Sequence, residues 1–221
     1  MEFWKKNIET FRIEDSDIYE AQILRPDYKQ ERGLTYPKLK KLRTEWQKIL
    51  PKLDNLKYLY LSHTINQDYF ETICKIPNLK GLFIHNSKIS NFSSIGNLTK
   101  LEELHFCGSL GISTLDGIQN LTKLKFCVLD KFFGIESVNE MSNLLTIEKL
   151  HLFAGLHGQK LNLKSIEPIS ELKNLKELAL DIKTNIDIRP LLRLEELELL
   201  ILPDYYHSKI KNELPKRTEL R

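Results

Sequence analysis

His85, Cys107 and Asp130 stand 22 and 23 residues apart, with His105 two positions before the cysteine. Imidazole, thiolate and carboxylate are ligands that zinc prefers, so on a shared face they would make a metal site conceivable, and around His85 and His105 a metal-dependent hydrolase. Zinc ligands usually arrive in tight pairs such as Cys-x-x-Cys, however, and the chain has none, so no metal is assigned. Glu196 and Glu198 are a second candidate, since two carboxylates on one face are the raw material of glycoside hydrolysis. That chemistry needs a pocket to raise one of the two pKa values, and an open surface supplies none. There is also no phosphate-binding glycine loop, and no serine or cysteine nucleophile with an ordered base. The expectation is a protein that is not an enzyme, with no catalytic residue, no metal and no cofactor.

What positions these residues is a phrase that recurs along the chain: a large apolar residue, two variable ones, a second apolar, one variable, a third apolar. It reads Leu56/Leu59/Leu61, Leu79/Leu82/Ile84, Leu101/Leu104/Phe106, Leu124/Cys127/Leu129, Ile147/Leu150/Leu152, Leu175/Leu178/Leu180 and Leu194/Leu197/Leu199. First positions are separated by 23, 22, 23, 23, 28 and 19 residues. A period in the twenties means a solenoid. The alternation that ends each phrase is a short strand with one buried face. After it the apolar spacing changes to three, as in Ile89, Phe92, Ile95, Leu98 and in Ile112, Leu115, Ile118, Leu121, which fits one or two turns of tight helix. Such a unit cannot bury its own apolar side, so each needs its neighbours.

These residues resemble the leucine-rich repeat family in its short 22-residue subclass, of the bacterial stand-alone type, over roughly residues 50 to 202. The resemblance implies an α/β solenoid of about seven repeats. It implies a parallel sheet on the concave face, short helices or 3-10 turns on the convex side, and protein recognition on the concave face. Where the family often carries an asparagine ladder after the strand, this chain has Thr64, Ser87 and Ser109 and then no clear equivalent. The ends of a solenoid need covers. Residues 1–52 read as an N-terminal cap, with strands near Phe11/Ile13 and Ile18–Leu24 and a helix near 37–50 that opens on Pro37 and lids the first strand. Residues 53–203 read as the repeats. Asp204 then caps a short helix that Pro215 stops, and 204–221 ends in a charged tail.

Strand alternation lets the outward residues be named. The middle row runs Tyr60, Phe83, His105, Val128, His151, Ala179, Glu198; the row before it Tyr58, Gly81, Glu103, Phe126, Lys149, Glu177, Glu196; the row after it Ser62, His85, Cys107, Asp130, Phe153, Asp181, Leu200. Aromatics and histidines crowd the early strands, carboxylates the last two. Exposed aromatics on a rigid sheet are enriched in binding hot spots, whereas the bland alternative is packing among themselves across strands. The expected partner-binding set is Tyr58, Tyr60, Phe83, His85, His105, Phe126, Asp130, His151, Phe153, Glu177, Asp181, Glu196 and Glu198. The clustered carboxylates favour a partner with a basic surface. Phe153–Leu161 adds about five residues after a strand, as a specificity loop or a tolerated insertion. With Phe132, Phe133, Tyr205 and Tyr206 it could form a second aromatic edge.

The formal charge is only +3, from 33 basic and 30 acidic residues, which gives no global case for nucleic acid or an acidic membrane. The basic run Lys38, Lys40, Lys41, Arg43, Lys48, Lys52 has no interleaved aromatics and reads as a solvated helix face. No secretory signal or membrane span is legible, and three cysteines cannot all pair, so a soluble, cytoplasmic protein is expected. By family analogy the partner is a bacterial toxin or effector neutralised by an immunity protein. The alternative is a regulatory or targeting subunit that docks on an enzyme. Oligomeric state leaves no mark on the sequence.

Overall fold

The computed structural model describes residues 10–26, 33–108, 111–155 and 159–221. Ten strands follow one another: β1 (Thr10–Phe11), β2 (Ile23–Pro26), β3 (Tyr58–Asn66), β4 (Gly81–Lys88), β5 (Glu103–Cys107), β6 (Phe126–Asp130), β7 (Lys149–Phe153), β8 (Glu177–Leu180), β9 (Leu199–Ile201) and β10 (Glu219–Leu220). They lie side by side in chain order in one sheet, and every neighbouring pair is parallel. A parallel pair needs a crossover, and here it is short: 3-10 turns at Ser93–Asn97, Ile118–Asn120, Asn139–Met141, Glu167–Glu171 and Arg189–Arg193. The first two crossovers after β2 use α-helix instead, α1 (Tyr36–Ile49) and α2 (Gln67–Ile73). Strands stack about 4.8 Å apart while helical returns are wider, so the sheet side is the inside of the curve.

The repeat phrase supplies the core. Leu59, Leu82, Leu104, Cys127, Leu150, Leu178 and Leu200 pair in register as one fully buried rung. Beneath it Phe70, Phe92, Phe106 and Phe132 meet mainly edge to face, with centroids 5.4–5.8 Å apart. The polar counterpart lies where the chain enters each strand. Asn55, Asn78 and Asn174 donate their side-chain amides to carbonyls of the preceding turn, and Thr146 donates its hydroxyl in the same way. Beyond the strands the Ser87 hydroxyl donates to the Gly108 carbonyl, while Ser109 lies outside the described residues.

The last repeat corrects the sequence reading. Leu194-Glu-Glu-Leu-Glu-Leu-Leu-Ile-Leu202 fits the apolar phrase twice, and the register in force is Leu197/Leu200/Leu202, 22 residues after Leu175/Leu178/Leu180 rather than 19. A recurring hydrogen bond decides it. The Lys57, Lys80, Glu102, Lys125, Glu148 and Lys176 carbonyls each accept two successive amides of the next strand's entry, and the pair on Lys176 is Glu198 and Leu199. Leu194 and Leu197 are both buried, which is why the pattern alone misleads.

The ends also differ. Helix α1 does not close the stack: β2 precedes it and pairs with β3 through Ile23↔Tyr58 and Leu24↔Leu59, so α1 is the crossover between them. At the C-terminus Asp204 begins a 3-10 turn without capping it, and α3 (His207–Ile210) follows. The charged tail then returns as β10 beside β9.

Candidate functional site

Four side chains of the middle row form a continuous stack across β2 to β5. The Arg25 guanidinium sits 4.7 Å from the Tyr60 ring centroid. Tyr60 and Phe83 lie parallel at 4.2 Å, and Phe83 and His105 are 4.5 Å apart, tilted by 44°. His85, two residues along β4, is parallel to Phe83 at 6.4 Å. Equivalent positions on adjacent parallel strands are spaced for ring stacking, so the register builds the ladder. The cost to exposure is large: Phe83 is only 7 % exposed, while Tyr60 and His105 are half-buried and His85 is exposed.

A second group gathers on β7 and β8. One oxygen of Glu177 accepts from Lys149 Nζ at 2.9 Å and lies 2.8 Å from His151 Nε2. His151 meets the edge of Phe153 at 5.6 Å. Asp181 pairs with Lys160, which the long fifth interval brings back beside the sheet through the Leu161↔Ile182 bridge. Between the two groups, Val128 is buried, Phe126 is half-buried, and the Cys107 thiol donates to Asp130 at 3.2 Å. Burial first, and the Asp130 contact second, push the Cys107 thiol up to about 11. Such a thiol is neither a nucleophile nor a ready zinc ligand at neutral pH. Among the described residues no group of three or more His, Cys, Asp or Glu could hold a metal ion.

No family model matches the sequence, and no curated protein matches it significantly. Solved structures match the architecture. An internalin C2 from Listeria monocytogenes aligns over 79 % of this chain and 76 % of its own, with TM-score 0.52 and 22 % identity. The leucine-rich repeat domain of the type III effector XopL aligns over 77 % of this chain and 70 % of its own, with TM-score 0.52 and 17 % identity. The Arabidopsis receptor kinase HAESA, solved with the peptide hormone IDA and the co-receptor SERK1, aligns over 78 % of this chain and 30 % of its own, with TM-score 0.52 and 21 % identity. The fold is that of a leucine-rich repeat protein.

On this leucine-rich repeat sheet the expected residues divide. Tyr60, Phe83, His85 and His105 come together, as do His151, Phe153 and Glu177. Tyr58 and Phe126 stand in the neighbouring row, half-buried, with the Tyr58 hydroxyl pushed up by burial and then by Glu103. Glu196 and Glu198 do not belong to these rows: Leu199 and Ile201 take the positions beside Glu177 and Ala179. Glu198 instead ends the strand-entry row, where Lys80 pairs with Glu102 at 2.9 Å and Lys176 with Glu148 at 3.1 Å. Glu196 pairs with Arg217. The four-carboxylate end is thus two carboxylates, both already matched by lysine, and the argument for a basic partner surface loses its footing.

The second aromatic edge does not form as expected either. Phe132 and Tyr206 are core residues, and the Tyr206 hydroxyl accepts from the Ile186 amide at 3.2 Å. Residues 156–158 of the insertion lie outside the described residues. Arg25 and Lys160 escaped the sequence reading. The Ile23-Leu-Arg25 alternation around buried Leu24 was the available signal for the first; the second needs the crossover to be folded. No helix among the described residues is long and apolar enough to cross a membrane.

Proposed function

We infer that the chain is a non-enzymatic module that captures a folded protein on the concave, solvent-facing side of its sheet. The observation that carries this reading is the Arg25–Tyr60–Phe83–His105 stack, with His85 exposed beside it. Its rings are held by one another before any partner arrives, so little side-chain entropy remains to be lost on docking. Tyr60, His85 and His105 offer ring edges and polar atoms from a rigid support, the composition of a binding hot spot. The Lys149–Glu177–His151 group and Phe153 extend the face toward β8 and supply directional contacts. The leucine-rich repeat fold is in general a protein-interaction scaffold, and HAESA is a case solved with a peptide and a protein bound.

The finer reading is an inhibitor that neutralises its partner, as an immunity protein does a toxin. What supports it is the preorganised face, which suits a tight complex. The partner need not be basic, since the carboxylates of the face are already paired. The test is to identify by mass spectrometry what co-purifies from the protein's own cells, then to titrate it and assay its activity. The reading expects a one-to-one complex with Kd of ~10 nM or below and loss of the partner's activity. Binding that leaves the activity intact or merely redirects it would replace inhibition with docking. No protein retained at any stoichiometry would overturn the binding module itself.

A further inference from the structure

The sheet face matches its charges in pairs, except at one end. Glu177 meets Lys149 and His151, Asp181 meets Lys160, and Glu219 meets Arg221 at 2.7 Å. Arg25 on β2 has no such match. Its neighbours across the sheet are Thr10 on β1 and Tyr60 on β3, both uncharged. Glu103 stands three strands away on β5, on the order of 14 Å, and is buried. Neither an ion pair nor a hydrogen bond holds the Arg25 side chain among the described residues, and its Nε is enclosed without a partner.

What holds the guanidinium is the Tyr60 ring, 4.7 Å below it. A half-buried cation so placed has given up part of its hydration without gaining a counter-charge, and its planar fork is already oriented. Both conditions favour a carboxylate arriving from outside, which would meet the two terminal nitrogens end on because Nε is enclosed. The stack beside it argues for protein and against nucleic acid. Tyr60 has Arg25 on one side and Phe83 on the other, and Phe83 lies between Tyr60 and His105, so no ring face is left for a base to stack on. We propose that Arg25 sets the specificity of the sheet face. It selects a partner whose contact segment carries an Asp or Glu on the guanidinium, with an apolar or aromatic side chain within about 10 Å, two strands along, over Tyr60 and the exposed His85. The inference rests on the protein-capture reading and gives the partner its chemistry, an acidic residue beside apolar surface.

The test is selection of a phage-displayed library of random twelve-residue peptides on the immobilised full chain. Arg25→Gln, Arg25→Lys and Tyr60→Ala serve as parallel baits, their unfolding midpoints checked against wild type. Wild type should enrich peptides with Asp or Glu near an aromatic or large apolar residue. A synthetic copy of the most enriched peptide should bind wild type with Kd at or below ~100 µM and Arg25→Gln at least ~10-fold more weakly. Arg25→Lys should bind it at least ~3-fold more weakly, since lysine keeps the charge but not the fork, and this variant carries the comparison if Arg25→Gln lowers the midpoint. Raising NaCl from ~50 to ~200 mM should weaken binding to wild type more than to Arg25→Gln, a difference that an arginine merely propping Tyr60 would not produce. Enriched peptides without an acid, equal affinity for Arg25→Gln, or an empty selection would overturn the proposal. If acid-free peptides still lose binding to Tyr60→Ala, the face captures protein and only the acidic preference falls. Peptides indifferent to both substitutions would count against capture itself. Binding of a dT12 oligonucleotide that depends on Arg25 and matches the peptide in affinity would assign the fork to a nucleic-acid backbone and overturn the proposal too.

Discussion

At the scale of single residues, Tyr60 and Phe83 were equivalent in the sequence, adjacent members of one outward row. Their packing separates them. Phe83 is covered by Tyr60, His85 and His105, so truncating it removes a ring that holds three others. Phe83→Ala should therefore destabilise the fold by about 2–4 kcal/mol in denaturant unfolding, whereas Tyr60→Ala should cost less than ~1.5 kcal/mol and be read in binding instead. Equal losses would mean that the stack does not order these side chains. Cys107 makes a prediction of opposite kind. Its thiol is held up to about 11, against an ordinary value of 9.0. The folded state thus prefers the neutral thiol, and that contribution to stability is complete below pH 9 and disappears as pH rises through about 11. Iodoacetamide at pH 8 should modify Cys107 at least ~10-fold more slowly in the folded than in the unfolded chain, and the gap should narrow toward pH 11. Rapid modification at pH 8 would contradict the burial that, with the Asp130 contact second, keeps the thiol neutral.

At the scale of elements, the strands were readable because their period is two and their neighbours repeat. The returns were readable because a spacing of three is itself a helical signature. What failed was a choice between two frames of one phrase. Leu194 and Leu197 are both buried, so apolarity could not discriminate, and only the carbonyl of Lys176 accepting Glu198 and Leu199 fixes the frame. The consequence is functional, since a three-residue slip moved Glu196 and Glu198 onto a face they do not share. Strand β10 was obscure for another reason: two residues are too short for alternation to register, and its pairing comes from the sheet it extends, whereas β1 and β2 overlap the strands expected near Phe11/Ile13 and Ile18–Leu24 with shifted bounds. Tight returns also demand particular backbones. Gly117 has φ of 93°, and a Cβ there would lie 2.2 Å from the Ser93 carbonyl oxygen of the preceding unit. Gly117→Ala should cost at least ~2 kcal/mol of stability and shift the amides of 93–97 and 117–121 together. A substitution without effect on either would mean that the two returns are not in contact.

At the scale of the whole molecule, each repeat contributes one strand to a common face, so the chemistry of that face is a property of the stack and not of any repeat. Near-neutral total charge agrees with the local picture, in which the cations and carboxylates of the sheet are paired along its rows. Recognition then rests on shape and aromatic surface at the β2–β5 end, with the β7–β8 group as a polar flank. The outward rows were legible once the period was known; which of their members remain available was not, because stacking and ion pairing across strands depend on rotamers that the sequence does not specify. The central claim is that a protein docks on this face. Its most direct test is calorimetric titration of the co-purifying partner against wild type, Tyr60→Ala, and Leu145→Ala, which alters an exposed leucine on a turn away from the stack. Tyr60→Ala should weaken binding by at least ~1.4 kcal/mol, about tenfold, with Leu145→Ala within about twofold of wild type. Wild-type affinity for Tyr60→Ala together with loss in Leu145→Ala would place the partner on the other side of the solenoid and contradict the account.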